Sequence, residues 1–222
     1  MEQKQKHQVH NLIILDESGS MQSIKSTIIS GFNELVQTVK GIEKQFPEQE
    51  HFISLVTFNS FGNKILHFID PVSKLNLIDD AKYKPDASTP LFDAMGFSIG
   101  KLRQVVENKP NCNVLVTILT DGEENASREF TKAAIKAIIE DLKSKQWTFT
   151  YIGTDHDVDK FAEGIGVVNT MSFQKDEAGM QEMFSQETNA RMRYVSKLSK
   201  MQDTSKNYYQ NDDDKKDDLT PK

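Results

Sequence analysis

Residues 10–21 read His10-Asn11-Leu12-Ile13-Ile14-Leu15-Asp16-Glu17-Ser18-Gly19-Ser20-Met21. The change of character at Asp16 decides the fold. A continuous branched-aliphatic run suits a strand covered on both faces, as the central strands of parallel sheets are. Immediately after it, Met21, Ile24, Ile28, Phe32, Leu35, Val36, Val39 and Ile42 recur at three- and four-residue steps. That spacing predicts an amphipathic helix, ended near Pro47. A second strand-like run, Val114 to Thr120, also stops at an acid, Asp121. Around these two runs the pattern repeats. Strands are predicted at Phe52–Phe58, Lys64–Ile69, Trp147–Ile152 and Val167–Met171. Helices are predicted from Leu91, over Phe130–Ser144 and Val158–Glu163, and over Glu177–Lys200. Residues 70 to 90 carry three prolines and read as a short helix and a loop. Asn59-Ser60-Phe61-Gly62-Asn63 suits a hairpin turn. The fold class is therefore α/β: a Rossmann-like, doubly wound, mostly parallel central sheet with one antiparallel edge strand and helices on both faces.

The chain has 222 residues, 37% hydrophobic, with 27 Lys and Arg against 33 Asp and Glu, a formal net charge of −6. The length fits a single medium domain. We divide it into a polar extension (1–7), one domain including the last helix (8–202), and an acidic tail expected to be disordered (203–222). The acid excess argues against a nucleic-acid partner. No apolar stretch is long enough to insert in a membrane. The single cysteine, Cys112, permits no internal disulfide, and the amino terminus lacks the pattern of a secretory signal. A cytoplasmic location is the expectation.

In open α/β sheets, ligands bind beyond the carboxyl ends of the strands. Asp16, Ser18 and Ser20 alternate along the loop after the first run. Thr89 stands just before the helix from Leu91, and Asp121 ends the second run. Three loops thus offer carboxylate and hydroxyl oxygens at one sheet edge, a donor set that suits hard divalent cations. The competing reading for Ser18 or Ser20 is a plain helix cap.

In their order and spacing, Asp16-x-Ser18-x-Ser20, Thr89 in Ser-Thr-Pro-Leu and Asp121 in Thr-Asp-Gly resemble the metal-ion-dependent adhesion site (MIDAS) of von Willebrand factor type A domains. The phrases Asp-Glu-Ser-Gly-Ser-Met, Thr-Asp-Gly-Glu-Glu-Asn and Tyr151-Ile152-Gly153 are most similar to intracellular bacterial members. Ser88 departs from the family pattern, which has glycine before the threonine. The resemblance implies Mg²⁺, with Mn²⁺ or Ca²⁺ as alternatives. It implies direct contact from Ser18 and Ser20, with Asp16 and Asp121 bound largely through water. Thr89 joins when the site is engaged, and a Glu or Asp of an unknown protein partner completes the coordination.

The implied function is a non-enzymatic, Mg²⁺-dependent protein-binding module. Two alternatives stand beside it: a metal-dependent hydrolase or phosphatase using Asp16, and a scaffold whose metal is purely structural. Glu123 and Glu124 either shape partner choice or stabilise a first helical turn. Asp155 to Asp159 invites a calcium-loop reading, but Lys160 stands where such a loop needs glycine. A solvated loop capping the next helix fits better. The five histidines show no metal-ligand spacing and are read as structural or surface residues, and Cys112 as inert.

Overall fold

A computed structural model describes residues 6–154 and 157–210. Most of the polar extension, Asp155 and His156, and the acidic stretch from 211 onward lie outside the described residues. Six strands form one sheet: β1 (His7–Asp16), β2 (Gln49–Asn59), β3 (Gly62–Pro71), β4 (Cys112–Leu119), β5 (Trp147–Gly153) and β6 (Asn169–Ser172). Five helices surround it: α1 (Lys25–Gln45), α2 (Leu91–Val106), α3 (Lys132–Lys143), α4 (Val158–Gly164) and α5 (Glu177–Ser199). The strand order is β3-β2-β1-β4-β5-β6, and every pairing is parallel except β2 with β3. The order reverses between β1 and β4, which opens a crevice at their carboxyl ends.

Strand pleating sends alternate residues of β1 to opposite faces. Leu12 and Ile14 join residues of α2, α3 and α4 in one cluster, while Ile13 and Leu15 join residues of α1 and α5 in another. Burying each such aliphatic side chain contributes about 1.5–3 kcal/mol. A third cluster, with Val9, Ile42, Leu115, Tyr194 and Tyr208, closes the far end of the sheet beneath α5. The sheet ends poorly at both sides. The β2–β3 pairing is interrupted by register shifts around Leu55, and β6 has only 4 residues.

Three details differ from the sequence expectation. The helix expected from Met21 begins as a 3-10 turn, Gly19–Ile24, and becomes α-helical only at Lys25. Three residues per turn place both Met21 and Ile24 on the core side. The short helix expected in 70–90 is a single 3-10 turn, Val72–Lys74. After it, buried Leu75, Ile78 and Tyr83 hold an extended loop against the domain. Residues 203–210, assigned by composition to the tail, instead lie against the sheet. Thr204 and Tyr208 are buried, and the Thr148 hydroxyl donates to the Thr204 carbonyl at 3.2 Å. Two tyrosines in this stretch supply apolar surface that outweighs its polar neighbours.

α5 hides a charged pair on its buried face. Glu187 and Arg191 are each 2% exposed, and Arg191 Nη2 lies 2.9 Å from Glu187 Oε1. Arg191 also donates to Asn11 Oδ1 (2.6 Å) and Thr117 Oγ1 (3.0 Å), and Glu187 accepts from the Tyr208 and Tyr209 hydroxyls (3.2 and 3.0 Å). A buried ion pair persists when most of its remaining donors and acceptors are satisfied, and here Arg191 Nε is left without a hydrogen-bond partner. Among the described residues, no helix is long and apolar enough to cross a membrane.

Candidate metal site

Four of the five sequence-predicted side chains meet at the carboxyl ends of β1 and β4. Asp16 Oδ1 accepts from the Ser18 backbone N–H at 2.7 Å, and Oδ2 from the Thr120 hydroxyl at 2.6 Å. The Ser18 and Ser20 hydroxyl oxygens lie 3.1 Å apart, and Ser20 Oγ donates to Asp121 Oδ1 at 2.6 Å. Ser18 stands at the cap position of the 3-10 turn but makes no side-chain capping bond. The serines are therefore spent on the crevice rather than on the helix start. Asp16, Ser18, Thr89 and Asp121 are buried and Ser20 is exposed, so the cluster opens outward at Ser20.

Thr89 arrives on the long loop from Leu75, whose path is fixed at several points. The Asn33 side chain exchanges two hydrogen bonds with the Ile78 backbone, at 2.9 and 3.0 Å. The Tyr83 hydroxyl donates to the Asp16 carbonyl at 2.7 Å. Asp86 N donates to Glu17 O (2.9 Å) and Gly19 N to Ala87 O (3.0 Å), tying this loop to the one after β1. Thr89 N donates to Asn125 Oδ1 (3.0 Å) and its carbonyl accepts from Asn125 N (3.2 Å), tying it to the loop after β4. Thr89 Oγ1 faces Gly122, the residue after Asp121, at 4.0 Å from where a β-carbon would stand. Backbone hydrogen bonds thus hold the three loops together.

The acids near the crevice do not all serve it. Glu17 is 2% exposed and turned away: its carboxylate lies 2.6 Å from Lys64 Nζ and accepts from the Thr57 hydroxyl and the Lys84 N–H, each at 2.5 Å. Glu124 accepts from the N–H groups of Phe92, Ala126 and Ser127 and from the Ser127 hydroxyl, so it caps α2 and folds its own loop. Asp93 accepts from the N–H groups of Arg128, Glu129 and Phe130. Burial raises its carboxyl, but these three bonds outweigh that and hold it below the usual carboxylate value. Asp157 caps α4 through Lys160 N at 3.1 Å, the plainer of the two readings of that acidic run. Burial pushes the Cys112 thiol up to about 11, which suits an inert cysteine.

Asp16 and Asp121 remain as the two carboxylates of the cluster. Burial raises the Asp16 carboxyl to about 6, against the Thr120 and Ser18 hydrogen bonds that lower it, and neighbouring Asp121 raises it further. Burial, and then the nearby Asp16, Glu17 and Asp121 carboxylates, also hold the Tyr83 phenol well above its usual value. Among the described residues, no three His, Cys, Asp or Glu side chains cluster as metal ligands. The oxygens brought together here are two carboxylates and the Ser18 and Ser20 hydroxyls, with Thr89 on the adjoining loop, a set that fits a hard cation and leaves it under-neutralised. One cationic group is already present. Lys175, between β6 and α5, places Nζ 2.6 Å from Asp121 Oδ2. No motif in the sequence marks this lysine, because only the tertiary fold brings its loop to Asp121. Beside the three loops runs a groove of about 640 Å³ whose lining includes Phe61, Ser88, Pro90, Asn125 and Arg128. Phe61, at the β2–β3 turn, is 78% exposed.

Comparison with known families matches residues 12–207 to the von Willebrand factor type A domain. Comparison with curated proteins returns no match. Among solved structures, the chain is similar to the pilus adhesin SpaC from Lactobacillus rhamnosus GG in its open conformation. The identity is 9% and the TM-score 0.60, over 87% of this chain and 31% of the adhesin. It is also similar to proximal thread matrix protein 1 from the mussel byssus, in a structure with a zinc-occupied MIDAS motif. Here the identity is 12% and the TM-score 0.53, over 84% of this chain and 46% of that one. A third similar structure is the SpRpn10 VWA domain, at 11% identity and a TM-score of 0.50, over 80% of this chain and 94% of that domain. The chain spans about half the length of the byssus protein, and at such identities the likeness is one of fold.

Proposed function

Because the chain belongs to the von Willebrand factor type A domain family, we propose that it is a protein-binding module that engages a partner's carboxylate through a bound divalent cation. Asp16, Ser18, Ser20, Thr89 and Asp121 hold the ion, and Mg²⁺ is the ion in use. The observation that carries this reading is the convergence of Asp16, Ser18, Ser20 and Asp121, where the Ser20–Asp121 and Thr120–Asp16 contacts, each of 2.6 Å, join loops far apart in the chain. A cation neutralised by only two carboxylates keeps Lewis acidity for an outside Glu or Asp. The exposed Phe61 ring and the groove beside it offer the partner contact area around that anchor, and exposed aromatics serve well in such a role.

The module performs no turnover of its own. Both Asp16 oxygens are engaged by Ser18 N and Thr120 Oγ1 and the side chain is buried, which suits a fixed ligand better than a nucleophile. A bacterial cytoplasm is the proposed setting, supported by the sequence resemblance and by a single, buried cysteine. The test is capture of a partner from the native host by the full chain in Mg²⁺ and in EDTA, with Ser18→Ala and Asp121→Ala beside it. The partner should be lost in EDTA and in both variants while circular dichroism is unchanged. Capture that survives all three refutes the reading. Turnover of generic phosphate or ester substrates that disappears in Asp16→Asn would establish the hydrolase instead.

A further inference from the structure

The geometry points to Lys175 as a built-in competitor for the metal site: its ammonium holds Asp121 until a divalent cation displaces it, and so sets how much metal the site needs. The inference rests on the metal reading above. Lys175 Nζ lies 2.6 Å from Asp121 Oδ2, while Ser20 donates to the other oxygen at 2.6 Å. The Asp121 side chain is fully buried and that of Lys175 is 23% exposed. A buried carboxylate is strongly disfavoured without a counter-charge. Lys175 supplies one from a different loop than any predicted ligand. A dication on the same carboxylate brings twice the charge and takes up the Ser18, Ser20 and Thr89 oxygens, so ammonium and metal exclude each other at Asp121.

The exchange requires little of the backbone. On one side of Lys175, buried Phe173 donates its N–H to Gly153 O at 3.1 Å. On the other, Asp176 caps α5 by accepting from Gly179 N at 2.8 Å. With both neighbours fixed, release lies in the flexible four-carbon stem, which already reaches solvent at its partly exposed end. The lysine swings out while the start of α5 stays capped.

Two measurements test this on the full chain, with Mn²⁺ as the probe. The first is Mn²⁺ affinity from the spin-resonance signal of the free ion, for the wild type, Lys175→Met and Lys175→Arg. If the lysine occupies Asp121 for about nine-tenths of the time, Lys175→Met should bind about tenfold tighter. Lys175→Arg, which keeps the charge, should stay near the wild type. The second is pulsed acetylation of wild-type lysines read by mass spectrometry. Saturating Mn²⁺ should raise labelling of Lys175 several-fold and leave that of exposed Lys74 unchanged. Equal affinity in wild type and Lys175→Met, or unchanged Lys175 labelling at saturation, overturns the competitor and leaves the metal site standing. Failure of wild type and Lys175→Met alike to bind Mn²⁺ overturns the metal reading, and the competitor with it.

Discussion

Lowering the pH from 7 to 5 should weaken the metal-free fold through two histidines at the pole opposite the crevice. His10 on β1 and His51 on β2 are each 1% exposed, and the Nδ1 of each is buried without a hydrogen-bond partner. Burial, with Lys109 for His10 and Arg191 and His7 for His51, pushes both imidazoles down to about 4. The unfolded chain takes up those protons near its ordinary value of 6.5, while the folded chain refuses them until about 4. The stability is therefore complete above 6.5 and lost as pH falls toward 4. At about 1.4 kcal/mol per pH unit, each histidine removes about 2 kcal/mol between pH 7 and 5. Asp16 works in the other direction. Its folded value of about 6 lies above the unfolded 3.8, so protonation relieves a burial cost and returns about 1 kcal/mol over the same range. The net loss is about 2–3 kcal/mol, a large share of a typical 5–15 kcal/mol. Urea denaturation in EDTA at both pH values, followed by fluorescence of buried Trp147, measures it. His10→Phe, which can keep the stack on Phe52 at 4.9 Å, and His51→Leu should each remove about half of the histidine effect. The double variant should show no loss at all. A wild-type loss below about 1 kcal/mol, or an undiminished loss in the double variant, would refute the assignment.

Three further outcomes are expected. Arg191→Met should destabilise by about 3–5 kcal/mol, because it leaves Glu187 charged and buried and takes a donor from Asn11 and from Thr117. Adding Glu187→Gln should recover part of this in chemical denaturation, and a cost under about 1 kcal/mol for the single change would contradict it. Gly31→Ala should cost about 1–3 kcal/mol, since the new β-carbon meets the Phe184 ring where α1 and α5 pack. Phe184→Leu in the same chain should relieve it, as thermal melts would report. Asp93→Ala should cost about 1 kcal/mol, because the Arg128 and Glu129 N–H groups it frees are exposed to water and only the Phe130 N–H is partly buried. Faster hydrogen exchange confined to residues 128–130 is the signature to look for.

The sheet was legible because its central strands are unbroken aliphatic runs that end at acids, a pattern that a parallel, doubly covered strand produces and little else does. Asp16, Ser18, Ser20 and Asp121 could be gathered on paper because strand ends in such a sheet share one edge. Lys175 could not, since its contact with Asp121 depends on how the loop before α5 crosses the crevice. Glu187 and Arg191 are four apart on a helix, a spacing that commonly serves a solvent-facing pair. Nothing local announces that Tyr208, Tyr209, Asn11 and Thr117 enclose them. Glu17 directly follows Asp16 in the crevice loop, yet Lys64 from the neighbouring hairpin claims it. Local sequence records which residues carry charge, whereas the partner of each is chosen by elements distant in the chain.

The interrupted β2–β3 register and the 4-residue β6 bear on how this molecule avoids sticking to itself. An intact outer strand offers a row of free amide and carbonyl groups that another chain can continue, the route to strand addition and to aggregates. Here one border is irregular and the other is barely a strand. Neither makes a good template for a visiting backbone, so recruitment through hydrogen-bonded extension of the sheet is discouraged at both borders. On the proposed function, association is then left to the loop end, where the partner's carboxylate meets the cation.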